Sequence, residues 1–223
     1  SHFAPRSKGH IDQRKGLPVS QMGGGPDRHA YSWQDSNDAT GPKHQWNDIS
    51  KTGRRMDILS KSDDGYRRIR IPFSIELYGE KFNSACISSN GYVTFEKGSN
   101  EHGHFPLPSS MMPGNLIAPF AMDLSPNRGG DIYYKTSQDE VLVQWNQVKD
   151  FAGLGEYTFQ VSLNKNGTIY FHYEKMNGRI DCATIGVQNE TADKGLLVAY
   201  NNKQINSDST IRISTSPRWL SAS

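Results

Sequence analysis

The sequence predicts an all-β protein: a two-sheet antiparallel β-sandwich of the jelly-roll or lectin-like kind, with an extended N-terminal arm. Three observations support this fold class. Apolar and polar residues alternate in several short segments, Asn-Gly pairs separate some of these segments, and no segment has the 3.6-residue apolar period of an amphipathic helix. The 21 glycines and 11 prolines are consistent with many turns.

The alternating segments are the predicted strands. In the longest, every second residue from Ile69 to Leu77 is apolar, so one face of the strand can be buried. Shorter segments with the same period lie at residues 141–145, 157–163, 169–173, 185–187, 196–200 and 211–213. We predict that the inward-facing residues include Phe73, Ile75, Phe159, Val161, Phe171 and Val187.

The turns are predicted from three Asn-Gly pairs. Asn90-Gly91 and Asn166-Gly167 each separate two apolar segments, and Asn177-Gly178 precedes residues 179–187. Asparagine and glycine tolerate the positive φ angles of type I′ turns, so each pair favours a tight hairpin.

The chain divides by composition into three parts. Residues 1–28 carry five basic and two acidic residues, lack periodicity and contain a Gly-Gly-Gly-Pro run, which is typical of an arm or linker. Residues 29–215 form the predicted sandwich domain, and residues 216–223 a C-terminal tail.

Several function classes are disfavoured. No run approaches 18 apolar residues, so no membrane-spanning segment is predicted. A net charge of +2 does not favour nucleic acid as a partner. The sequence lacks a Gly-x-Ser-x-Gly elbow, a His-Glu-x-x-His pair and a phosphate-binding loop, so we expect a non-catalytic protein.

Ten motifs between residues 30 and 213 resemble, in one collinear order, an accessory β-sandwich module of large secreted bacterial proteins. That module is distantly similar to nidogen-like extracellular domains. The motifs lie at residues 31–36, 46–49, 71–73, 77–79, 87–95, 115–120, 143–146, 157–161, 166–170 and 183–189. The resemblance implies a secreted or cell-surface location and an ancillary structural or binding role, with no catalytic residues.

Two acidic loops are candidate calcium sites. Asp35 and Asp38 flank Asn37, and Asp123 is followed by Asn127 and Asp131. Calcium prefers several carboxylate, amide and carbonyl oxygens, so Asp35, Asp38 and Asp123 are the predicted ligands. The alternative is that these side chains cap their own turns. No other cofactor is predicted.

The two cysteines leave two alternatives open. Cys86 and Cys182 each lie in a predicted strand, so they form either one bridge between neighbouring strands or two buried free thiols.

The predicted function is structural: a self-assembling extracellular module. The arm contains Ile11, Leu17, Val19 and Met22, and an extended arm could add a strand to the sheet edge of another copy, giving a ring or filament. A plain linker to a neighbouring extracellular domain is the alternative for the arm. The alternative function is binding of a carbohydrate or surface polymer by stacking on aromatic side chains. Trp145 is predicted to be core, and Trp33 and Trp46 to pack the N-terminal segment onto the sandwich, so Trp219 is the tryptophan without a core assignment.

Overall fold

The structure is a computed structural model that describes residues 23–25 and 31–215. This part of the chain contains fourteen strands, two short 3-10 turns (Leu59–Lys61 and Pro126–Arg128) and no α-helix. None of its helical segments could cross a membrane. The strands are β1 Gly23–Gly24, β2 Tyr31–Asp35, β3 Arg54–Arg55, β4 Tyr66–Leu77, β5 Glu80–Ser88, β6 Val93–Phe95, β7 Leu116–Ala121, β8 Asp131–Thr136, β9 Glu140–Lys149, β10 Glu156–Asn164, β11 Ile169–Asn177, β12 Thr184–Gln188, β13 Gly195–Tyr200 and β14 Ser209–Thr215.

The strands form two antiparallel sheets, which confirms the predicted two-sheet sandwich. One sheet has eight strands in the order β1-β2-β14-β11-β10-β9-β8-β3, and the other has six in the order β13-β12-β7-β6-β5-β4. Each of the seven predicted alternating segments lies in a strand. The alternation is clearest in β4, where buried and exposed residues alternate from Ile69 to Leu77.

The core lies between the sheets and contains all six residues predicted to face inward. Phe159 is fully buried, stacks on Trp145 with ring centroids 4.9 Å apart, and meets Phe120 edge-on at 5.5 Å. The Trp145 indole Nε1 donates a hydrogen bond to the Ser88 carbonyl oxygen of the opposite sheet (3.0 Å). Trp145 is therefore a core residue, as predicted.

Two of the three predicted hairpins are confirmed. Asn90-Gly91 connects β5 to β6, and Asn166-Gly167 connects β10 to β11. The third prediction is wrong, because Asn177-Gly178 lies where the chain leaves the eight-stranded sheet and crosses to β12 in the other sheet. The Tyr157 hydroxyl donates to the Arg179 carbonyl oxygen (2.8 Å) at this crossing. Local turn chemistry does not specify which sheet the next strand joins.

A long loop and a strap cover the outer faces of the two sheets, and buried glutamines hold both. On the six-stranded sheet, Gln188 Nε2 donates to the carbonyl oxygens of Ser109 (3.1 Å), Met112 (3.3 Å) and Pro113 (2.7 Å) in the loop of residues 96–115. Its Oε1 accepts from the Ser109 amide (2.8 Å). This cover buries a second apolar cluster that includes Leu107.

The corresponding cover on the eight-stranded sheet is the strap, residues 42–49. Gln144 Oε1 accepts from the Ile49 amide (3.0 Å), and its Nε2 donates to Asp48 Oδ1 (2.9 Å). Gln160 Nε2 donates to the Asn47 carbonyl oxygen (2.5 Å). Because Gln144 and Gln160 are completely buried, these hydrogen bonds replace solvent for polar groups on the outer side of the sheet.

Both cysteines are free thiols in the structure, so of the two alternatives the bridge is not formed. Cys86 is buried in β5, whereas Cys182 is half-buried in the segment before β12 and not in a strand. Strands β6 and β7 lie between β5 and β12. Three strand spacings amount to roughly 14 Å, which is well beyond the Cα separation of about 4.4–6.8 Å found in disulfides.

The predicted arm is described only at its end. Gly23 and Gly24 pair antiparallel with Gln34 and Trp33 of β2, so these two residues extend the chain's own eight-stranded sheet. Ile11, Leu17, Val19 and Met22 lie outside the described residues, as do Trp219 and the tail of residues 216–223.

Candidate functional site

Three carboxylates meet at one end of the sandwich and could hold a metal ion. Asp63 and Asp64 precede β4, and Asp123 follows β7, so the fold joins two segments about sixty residues apart in sequence. One carboxylate oxygen of each lies within 4.8 Å of the others. We call Asp63, Asp64 and Asp123 the acidic cluster.

Hydrogen bonds from the β5–β6 turn and from the segment after β7 position the acidic cluster. Asn90 Nδ2 donates to Asp64 Oδ1 (2.9 Å), and Asn90 Oδ1 accepts from the Leu124 amide (3.0 Å). The Ser125 hydroxyl donates to Asp63 Oδ1 (2.7 Å). Since Asn90 is buried, its amide holds the two halves of the cluster in a defined geometry.

The electrostatics of the acidic cluster favour a bound cation. Burial raises the pKa of Asp123, and the neighbouring charges of Asp64, Asp63 and Asp150 raise it further, while His102 opposes them. His102 Nδ1 lies 3.7 Å from Asp64 Oδ2. The same repulsion between carboxylates that favours a proton on Asp123 also favours a cation between the carboxylates.

Asp35 and Asp38, predicted as ligands, accept hydrogen bonds from protein groups in their own turn and from Gln204 and Gln34, respectively. Asp35 is buried and accepts from the Asn37 amide (2.9 Å) and from Gln204 Nε2 (3.2 Å), and burial raises its pKa. Asp38 accepts from the Thr40 amide (2.9 Å) and from Gln34 Nε2 (3.1 Å), and the bonds from Thr40 lower its pKa. Within the described residues neither joins a group of three ligands, which agrees with the turn-capping alternative.

The two other polar residues of the predicted Asp123 loop also have protein partners. Asp131 forms an ion pair with Arg55 (2.7 Å), and the Asn127 side-chain amide contacts the Ser125 hydroxyl. The sequence analysis missed Asp63 and Asp64. The sequence does show this acidic pair shortly before the longest alternating strand. No local pattern, however, predicts that the pair lies beside Asp123.

A second group of potential ligands, His44, Glu174 and Asp208, lies where the strap begins. Both imidazole nitrogens of His44 already have partners: Nδ1 contacts the Thr210 hydroxyl (2.9 Å) and Nε2 contacts Glu174 Oε2 (3.2 Å). These contacts fasten the strap to β11 and β14. A metal would have to displace them, so we assign His44 to strap anchoring.

The outer edge of β4 is the longest open sheet edge in the described part of the chain. β4 is the last strand of the six-stranded sheet and contains twelve residues. Arg67, Arg68 and Arg70 are exposed, and the pairing with β5 is irregular between Arg70 and Ile75. Charges and irregular pairing protect an edge from indiscriminate strand addition, so only a matching strand is expected to pair here.

Residues 38–220 of the chain match the family model described as NIDO related. The match covers more than half of the chain and nearly all of the described sandwich. No solved structure matches the chain significantly.

Proposed function

The chain belongs to the NIDO-related family, and from this premise we propose that it is a secreted or cell-surface, non-catalytic structural module that joins copies of itself through its N-terminal arm. Secretion is supported by the nidogen-like character of the family. The proposal for the arm rests on one observation, the backbone pairing of Gly23 and Gly24 with the edge strand β2.

The register of this pairing leaves little of β2 available to residues upstream of Gly23. Gly23 lies opposite Gln34, and β2 ends one residue later at Asp35. If residues upstream of Gly23 continued this antiparallel pairing, β2 would offer them at most one more residue, Asp35. Leu17 and Val19 are two residues apart, so in an extended arm both side chains point to the same face and need another apolar surface.

We propose that the open edge of β4 in a neighbouring copy provides that surface. A groove of about 560 Å³ runs beside this edge and is lined in part by Phe73, Ser74 and Glu76. Such a groove could receive arm side chains, while the arm backbone pairs with the edge. A strand that one copy donates to the β4 edge of the next makes a head-to-tail contact, and repeated contacts of this kind give a ring or a filament.

Deletion of residues 1–22 tests this assembly. We expect the full chain to form species heavier than 25.0 kDa at micromolar concentration, and the deletion variant to be monomeric with unchanged circular dichroism. Native mass spectrometry and light scattering measure both properties. A full chain that is monomeric at all concentrations, or a deletion variant that still assembles, would leave the arm as a linker to a neighbouring domain.

A matched pair of arm variants separates a specific contact from a general effect of the arm. Replacing Leu17 and Val19 by aspartate places charge on the face that we propose to be buried, and should abolish assembly. Replacing Pro18 and Ser20 by aspartate adds the same charge to the opposite face and should preserve it. Equal losses in the two variants would contradict a defined strand register.

We also propose that the acidic cluster binds calcium. Its ligands are hard oxygen donors, and extracellular modules bind calcium with Kd values of about 10⁻⁴ to 10⁻³ M. At about 10 mM calcium, binding to the folded state should raise the free energy of unfolding by about 1–3 kcal/mol. Asp123→Asn should remove this increase, because it removes one of the three carboxylate charges of the cluster.

Thermal unfolding with and without calcium, combined with titration calorimetry, measures this effect. Asp38→Asn is the matched control, because Asp38 lies outside the acidic cluster and its carboxylate accepts hydrogen bonds from Thr40 and Gln34. The proposal is wrong if calcium leaves the melting temperature of the wild-type chain unchanged. It is equally wrong if Asp123→Asn retains the full calcium response.

A further inference from the structure

A groove separates the strap from part of the outer face of the eight-stranded sheet. Its volume is about 650 Å³. Trp46 lines it from the strap, and the sheet contributes side chains from β9, β10, β11 and β14. The sheet residues used below are Glu140, Gln160, Tyr170, His172 and Arg212.

Both the strap and the sheet contribute aromatic side chains to the groove. The Trp46 side chain is partly exposed and lines the groove. On the sheet, the rings of Tyr170 and His172 stack with centroids 5.7 Å apart and an interplanar angle of 8°. Burial, together with the neighbouring His44, lowers the pKa of His172 to about 4, so this stacked pair is uncharged at neutral pH.

One buried acceptor of the groove has no hydrogen-bond partner among the described residues. Gln160 is completely buried, and its Nε2 donates to the Asn47 carbonyl oxygen (2.5 Å) and to Gln144 Oε1 (2.7 Å). Within the described residues its Oε1 accepts no hydrogen bond. Buried polar atoms are nearly always paired, so this oxygen indicates a donor that the protein itself does not supply.

Two charged side chains that line the same groove can form further hydrogen bonds. Glu140 Oε2 accepts from the Ser162 hydroxyl (2.7 Å), which leaves further lone pairs on its carboxylate. Arg212 donates to Gln34 Oε1 (2.5 Å), and a guanidinium has several more N–H groups. The groove therefore combines acceptors and donors with flat apolar surfaces.

We infer that this groove binds a pyranose unit of a polysaccharide. A pyranose ring has an apolar C–H face that can stack on Trp46, and hydroxyl groups around its edge that can bond to Gln160, Glu140 and Arg212. An extended peptide fits less well, because the groove lies on a sheet face where no strand edge is open for backbone pairing. The inference is independent of the assembly through the arm.

Affinity electrophoresis of the full chain in native gels tests the inference. The probes are two neutral polysaccharides, galactomannan and hydroxyethylcellulose, and two uronic-acid polymers, polygalacturonate and alginate. At least one should retard the wild-type chain. If only the uronic-acid polymers retard the chain, the sugar carboxylate is expected to bind Arg212. If a neutral polymer retards it, the hydroxyl groups of the sugar are sufficient for binding. The absence of retardation by all four polymers would overturn the inference.

Two variants localise the binding to the groove. We expect Trp46→Ala and Glu140→Gln each to weaken binding at least about tenfold, and Trp46→Phe to retain more affinity than Trp46→Ala. Glu140→Gln leaves the strap contacts intact, so it remains informative if Trp46→Ala loosens the strap. Phe151→Ala, which removes an exposed aromatic ring outside the groove, is the control. If Trp46→Ala and Glu140→Gln bind like the wild type, the groove is not the site.

Discussion

Replacing Phe159 with alanine is expected to lower the free energy of unfolding by about 3–5 kcal/mol. Phe159 is fully buried between the sheets, where it stacks on Trp145 and meets Phe120 edge-on. Its removal leaves a cavity beside two large rings that belong to opposite sheets, so neither sheet can relax into the space without distorting the other.

Urea unfolding followed by circular dichroism measures this loss. Phe151→Ala is the matched control, because Phe151 is 47% exposed and lies over the Arg128 guanidinium rather than in the core. We expect the control to lose less than about 1 kcal/mol. A loss of similar size for Phe159→Ala would show that this position is not part of a tightly packed core.

The second large effect is expected for Gly91→Ala, which should lower the free energy of unfolding by about 3 kcal/mol or more. Gly91 has a φ of +78°, which strains any residue with a Cβ. A Cβ there would also lie 2.0 Å from the Phe120 carbonyl oxygen. Since this atom belongs to the central strand β7, the strand would have to move.

Gly167→Ala is the control for Gly91→Ala, because it occurs in the other confirmed Asn-Gly hairpin. Gly167 has a similar φ of +88°, but a Cβ there would meet no atom within 4 Å. Its substitution should cost only the backbone strain of about 1–2 kcal/mol. Comparable losses at the two glycines, measured by the same urea titration, would mean that the contact with β7 contributes little.

The loop and the strap that cover the two sheets restrict which surfaces of the protein a ligand or partner can reach. Gln188 holds the loop of residues 96–115 on one outer face, and Gln144 and Gln160 hold the strap on the other. Neither outer face is therefore a broad open sheet surface. Among the described residues, the accessible features include the β4 edge, the acidic cluster and the groove beside the strap.

The sequence was sufficient to predict the strands that have one buried face. In β4 and β10–β11, alternation and Asn-Gly pairs are local consequences of a half-buried strand and a tight turn, so they can be read without the fold. It did not reveal β7 as a strand. All six residues of β7 are buried, because the core lies on one side of the strand and the covering loop on the other, so apolar and polar residues do not alternate. Pro119 is also unusual in a central strand, which makes β7 harder to predict.

The candidate sites depended still more on tertiary structure. Asp123 could be singled out as an acidic residue after an apolar segment, but its partners Asp63 and Asp64 come from a segment that only the sheet order brings alongside. Likewise, Trp46 was predicted to pack the N-terminal segment onto the sandwich, and no pattern distinguished Gln160 from other polar strand residues, whereas both line the groove. The sequence by itself determined the all-β class, the alternating strands and two hairpins, because these depend on interactions between near neighbours in the chain. The tertiary structure alone decided the sheet order, the buried glutamines and the composition of the acidic cluster and groove, because these depend on contacts between residues far apart in sequence.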